Sequence, residues 1–343
     1  MKQGRISVRR SVGIAVVLSL GLLIGGVADG NTVFSLTFGS GLTGNQTARD
    51  AFQAAADRWS AILRDPVTVN LFVDYQSLGA NILGETSTTP LSYSYDTIRN
   101  DLAGGGEGKS YETALLPNLP TSAQLQVTLP KNFSVSDNME ITSANWKALG
   151  ETTTATSDGS ITFSSNFSWD FDPSNGITSG KYDFVGVATH EMGHVLGFFS
   201  AEDTVDLAMH EHKKGAVELL PLDLFRFNTD DLVGGFNFTT ANRDLTPGVS
   251  QSFYDYDNSV LMSTGEYNGD GYQASHWKEQ VPSLGIMDPA AASGEPLSIG
   301  INDRTALDLI GWDVAPAPEP ATMLLVGTGV LGVVGWLRRR AVR

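Results

Sequence analysis

Apolar residues recur at helical spacing between Asn45 and Leu63, where Phe52, Ala55, Ala56, Trp59, Ile62 and Leu63 share one face; this predicts an amphipathic helix. Pro66 ends it, and the alternation over Val67–Tyr75 predicts a strand. Residues 76–110 are rich in Gly, Ser and Thr and are expected to contain loops. Ala123–Leu129 and Ile161–Phe163 read as strands, the second after a turn at Asp158-Gly159. Asp170, Asp172, Pro173 and Gly176 mark a loop before a second helix over about 182–196. Beyond Gly197 the pattern becomes irregular. Leu220–Phe227 predicts an extended or short helical piece, and Asn302–Ile310 a short helix capped by Asn302 or Asp303. No internal repeat is present, and the mixture of strands and helices places the chain in the α+β class.

The second helix differs from the first in being apolar nearly all round. Phe184, Val185, Val187 and Ala188 lead into it, and Val195, Leu196, Phe198 and Phe199 follow, so it should be buried. Yet it contains His190-Glu191-Met192-Gly193-His194. Positions i and i+4 lie about 40° apart around a helix axis, so His190 and His194 can aim two imidazoles at one ion. Buried histidines and a buried glutamate are costly unless something satisfies them, and Zn2+ does so. Glu191 is then placed as the base for a water activated by the metal. Gly197 suits the turn at the helix end.

The ends of the chain say where such a site would work. Lys2, Arg5, Arg9 and Arg10 precede an apolar stretch from Val12 to Ile24, and small residues around 25–28 suit a signal peptidase, so 1–28 reads as a signal peptide. At the other end, Pro318-Glu319-Pro320 is followed by 17 uncharged residues and then Arg338-Arg339-Arg340. This tail, 316–343, resembles the PEP-CTERM sorting signal of Gram-negative bacteria. The resemblance implies export, transient membrane anchoring, processing by an exosortase-type enzyme, and a destination in the envelope or outside the cell. The two ends hold eight of the 22 Lys and Arg, leaving 14 in the body and making it strongly acidic, which argues against nucleic acid as a partner. There is no cysteine, so disulfides, Cys-containing zinc sites and a cysteine-switch propeptide are excluded.

A zinc site needs a third protein ligand. The short metzincin motif would place it three residues after Gly197, where the chain has Ser200. Asp203, Asp206, His210, His212 and His276 remain as alternatives on residue type alone. His276-Trp277, eleven residues before Met287, adds a resemblance: leishmanolysin-type metzincins interrupt the motif after its glycine, then supply a His-Trp pair and a methionine turn. That resemblance covers roughly 180–312 and implies His190, His194 and His276 as ligands, Glu191 as catalytic base and Met287 as an apolar floor. It further implies a metzincin-like fold. A mixed twisted sheet with helices, including the zinc helix, would occupy 29–199, and a mostly irregular C-terminal subdomain with a short helix would occupy 200–315.

The expected activity is that of an exported zinc endopeptidase acting on proteins or peptides, with the substrate extended along an edge strand for which Ile161–Ser164 is the candidate. Tyr272 lies near His276 in sequence, with no role assignable. A zinc hydrolase of esters or glycan-linked amides is a variant of the same reading. The alternative is a non-catalytic envelope or matrix protein with a vestigial or structural zinc site. Loops at Asp170–Asp172 and Asn268–Gly271 could hold calcium, but ordinary solvated turns account for them better. Ala103–Ser110 nearly spells a phosphate-binding loop but lacks a buried strand before it.

Overall fold

The computed structural model describes residues 31–316 and the backbone of Gly4–Val8. The rest of the expected signal peptide, and the tail beyond 316, lie outside the described residues. Seven helices are present among them: α1 (Gln46–Ser60), α2 (Tyr95–Gly104), α3 (Ser110–Leu115), α4 (Ser143–Ala148), α5 (Phe184–Val195), α6 (Glu202–His210) and α7 (Ile301–Leu309). None is long and apolar enough to cross a membrane.

The main sheet has six strands in the order Ala290–Ala291, Gly4–Val8, Ile82–Thr88, Gly159–Ser164, Thr68–Gln76, Val33–Phe38. The last three are mutually parallel, and Ile82–Thr88 runs antiparallel to Gly159–Ser164. Val69, Leu71 and Val73 alternate inward along Thr68–Gln76 and meet the buried face of α1, as the period-two pattern requires. Phe52 of α1, Phe163 of the sheet and Phe184 of α5 meet with centroids 4.4–5.0 Å apart. Trp59 donates its indole N–H to Thr189 O at 2.8 Å, tying α1 to α5. The fully buried α5 thus packs against both α1 and the sheet.

Several expectations are corrected. Besides loops at 77–81 and 105–109, residues 76–110 contain the strands Ile82–Thr88 and Pro90–Ser94 and helix α2. Their threonines, Thr86 and Thr88, carry the β-branched preference that the Gly and Ser content masked. The expected strand Ala123–Leu129 shrinks to Val127–Thr128, while the longest strand, Phe133–Thr142, went unread because its exposure is irregular. Ile161–Ser164 is no edge, since its strand pairs on both sides. The N-cap of α7 is Gly300, with Asp303 at the third position accepting its N–H.

More than half of the region after Gly197 is irregular, as expected, but it holds more than one short helix. It supplies α6, α7 and four strands of a five-stranded sheet, Ser259–Met262, Gln251–Tyr254, Arg226–Asn228, Arg243–Asp244 and Val127–Thr128 in order. The fifth strand comes from before Gly197, Gly215–Leu219 likewise pairs with Phe133–Thr142, and Ala290–Ala291 belongs to the main sheet, so three sheets join the halves of the chain.

Candidate metal centre

Asp183 caps α5 by accepting from Gly186 N, and the helix carries His190, Glu191 and His194 into the interior, all fully buried. At its end Gly197 takes φ +114°, and a Cβ there would stand 2.9 Å from Asn145 Oδ1. Glycine therefore permits both the turn and the close approach. The turn returns Phe198 O to His194 Nδ1 at 2.8 Å.

His276 arrives from the loop after Ser259–Met262, and Ser263 N donates to its carbonyl at 3.0 Å. Its Nε2 lies 3.2 Å from His194 Nε2 and 3.2 Å from His190 Nε2, while the latter two stand 3.0 Å apart. Each Nδ1 faces a backbone carbonyl: His190 to Ile286 O at 2.6 Å, His194 to Phe198 O at 2.8 Å, His276 to Gln273 O at 3.0 Å. A carbonyl only accepts, so each Nδ1 carries the proton and each Nε2 presents a lone pair. Three acceptors thus converge with no donor among them. Burial lowers all three pKa values, His276 to about 4, and for His190 and His194 the neighbouring imidazoles add to the effect. The neutral imidazole is the form that binds metal.

These residues fit zinc. Three tetrahedral ligands at 2.0–2.1 Å from zinc stand about 3.3 Å apart, close to the separations here. No other group of three metal-ligating side chains is found among the described residues. The carbonyls on Nδ1 are the outer partners that fix a ligand's tautomer and ring orientation.

Glu191 points to the strand Ile82–Thr88. Thr86 donates its hydroxyl to Glu191 Oε2, whereas Oε1 is buried with no hydrogen-bond partner. A Cβ on Gly84 would stand 2.7 Å from Oε1, so the absence of a side chain there makes the space that the carboxylate occupies. Burial pushes the Glu191 pKa up to about 8 against the lowering effect of Thr86. Gly84 and Thr86 escaped the sequence reading because their strand had been read as loop.

Met287 packs directly beneath α5, where a Cβ on Gly193 would lie 2.4 Å from its sulfur. The turn it occupies is held by Asp303, which accepts from Ile286 N, Met287 N and the indole of Trp277 at 2.8–3.2 Å. Asp203 and Asp206 are not in the cluster; they bond to the loop preceding His276. His210 and His212 are exposed, His210 stacking on Tyr267. Of the possible calcium loops, Asp170 accepts from Thr178 and Asp172, and Asp270 from Thr264 N and Lys278. In the near-phosphate loop, Lys109 is turned inward onto Asp308.

Residues 316–340 match the PEP-CTERM protein-sorting motif, which implies export, envelope sorting and processing by an exosortase-type enzyme. No curated protein and no solved structure matches the chain.

Proposed function

We propose that this protein is an exported zinc endopeptidase of leishmanolysin-like metzincin type, with His190, His194 and His276 as ligands and Glu191 as the proton-transfer group. The observation that carries the reading is the convergence of three Nε2 lone pairs, each fixed by a carbonyl behind it, on α5 beside a buried carboxylate. When bound, zinc would supply Lewis acidity, acidifying water and polarising a scissile carbonyl. Glu191 Oε1 accepts the proton from the attacking water, because Thr86 already occupies Oε2. The raised pKa of about 8 belongs to the metal-free carboxyl, and a cation nearby draws it down, so Glu191 can both take the proton and return it to the leaving amine. A structural zinc site normally closes with a fourth protein ligand, and among the described residues only three converge, which favours catalysis over the non-catalytic alternative.

An extended substrate needs a strand edge next to Glu191, and Ile82–Thr88 is that strand. In the intact chain its outer edge pairs in parallel with Gly4–Val8, so loss of the leader would free it for a peptide. The reading is tested on the exported protein by metal analysis and hydrolysis of unstructured protein substrates. Glu191→Gln should keep its zinc and lose about 10²–10⁴-fold in turnover. Undiminished hydrolysis by that variant would refute the assignment.

A further inference from the structure

We propose that Asp203 and Asp206 of α6 are positioning residues that hold His276 in place for the metal. The inference rests on the zinc-peptidase reading, but its observations lie outside the ligands themselves.

The two carboxylates stand at i and i+3, on one side of α6. Asp203 Oδ1 accepts from Ala274 N at 2.6 Å, and its Oδ2 from Ser275 N at 3.2 Å and from the Ser275 hydroxyl. Asp206 Oδ2 accepts from Tyr267 N at 2.8 Å, and its Oδ1 from both Asn268 N and Asn268 Nδ2 at 2.8 Å. The loop that delivers His276 is therefore gripped at its start and again at the two residues before the histidine.

The opposite side is held too. Buried Arg226 donates to Ala274 O at 2.9 Å and to Ser263 O at 2.6 Å, and it forms an ion pair with Glu202 of the same short helix. Ala274 is thus fixed through both its N–H and its C=O. Gly265, at φ +118°, leaves the room that Asp206 fills, since a Cβ there would stand 2.8 Å from the carboxyl carbon. Ser200 N donates to the Ser275 hydroxyl at 2.9 Å. The position where the short motif would carry its ligand instead docks the neighbour of the distant one.

A carboxylate is an acceptor at both oxygens and suits this cluster of N–H donors. Asparagine would keep one acceptor and turn an NH₂ against other donors. A role in stability alone would lower the melting temperature and leave the zinc affinity of the folded protein unchanged. Positioning moves the affinity, because partners that orient a ligand typically contribute 10–100-fold.

The test uses the full-length protein and zinc alone, titrated against a competing chelator, with hydrogen exchange read in the metal-free state. Asp203→Asn should bind zinc about 10–100-fold more weakly, with faster exchange over 263–276 and unchanged protection of α1 and α5. Ser275→Ala removes the hydroxyl contact and leaves both Asp203 backbone contacts, so its loss should be smaller; it also serves if Asp203→Asn does not fold. If the wild type binds zinc and the folded variants bind it equally well, positioning is overturned and the peptidase reading stands. A wild type that binds no zinc overturns both.

Discussion

The two halves of the molecule that meet at the histidines are held together by different physics. Before Gly197 the core is mainly an apolar one: alternating valines and leucines of the sheet, aromatic contacts among Phe52, Phe163 and Phe184, and the fully buried α5. After it, several buried charged groups act as hubs. Arg226 reaches Gln251, Ala274 O, Ser263 O and Glu202. Arg243 lies over the rings of Phe227 and Phe238, with burial lowering its pKa to about 10. Asp223 accepts from Ser200, Ala201 and Leu220. A regular helix can present two ligands by its period alone. A ligand on a loop needs its backbone captured group by group, and charged side chains with several donors or acceptors do that.

The largest effect should therefore come from removing a hub. Arg226→Met leaves Glu202 buried without its partner and should cost about 3–5 kcal/mol in urea unfolding. Pairing it with Glu202→Met removes the orphaned carboxylate and should restore only part of the loss. The carbonyls of Ala274 and Ser263 still lack donors, and a buried unsatisfied group costs about 1–3 kcal/mol. A double variant as stable as the wild type would break the comparison, because the ion pair and not the capture of carbonyls would then account for Arg226.

The same difference explains what could be read from the chain. α1, Thr68–Gln76, α5 and the His190–Glu191–His194 arrangement follow from apolar periodicity and one local spacing, and the structure places them within a few residues of expectation. Hubs have no period. Nothing in the spacing of Arg226, Asp203 and Asp206 indicates that they converge on one loop, and the strands after Gly197 are two to five residues long, too short to show alternation. His276 stood out through its resemblance to a His-Trp pair, whereas residue type alone left five alternatives. Ile82–Thr88 failed to register for another reason: the glycine that makes room for Glu191 also erases the strand pattern.

That glycine gives a smaller test, confined to the proton-transfer side of the site. In Gly84→Ala the added methyl would meet Glu191 Oε1 at 2.7 Å and displace the carboxylate, and the three atoms nearest to it all belong to Glu191 rather than to a histidine. Zinc content should be unchanged and turnover should fall, by up to about 10²-fold if the displacement approaches 1 Å. A joint loss of zinc and turnover would mean that strand and ligands are coupled, and the division between a rigid helix pair and a separately held third ligand would need redrawing.

The smallest expected effect lies where the chain closes on itself, far from the histidines in sequence. Asp65 accepts from Asp313 N at 3.0 Å, and burial, with the charge of Asp313 adding to it, raises its pKa to about 7. A folded-state value above that of the unfolded chain means that the folded protein binds the extra proton. The associated stability is complete below about pH 4 and is lost as pH rises through about 7. Asp65→Asn keeps an oxygen for Asp313 N and has no charge to bury. It should therefore gain about 1 kcal/mol over the wild type at pH 8, discounted for partial exposure, or roughly 2–4 °C in melting temperature for a body of this size. Near pH 3, roughly below both the folded and the unfolded values, the two proteins should melt together. A gain of equal size at both pH values would assign the effect to packing rather than to the titration of Asp65, and would set this single backbone contact apart from the multiply bonded hubs after Gly197.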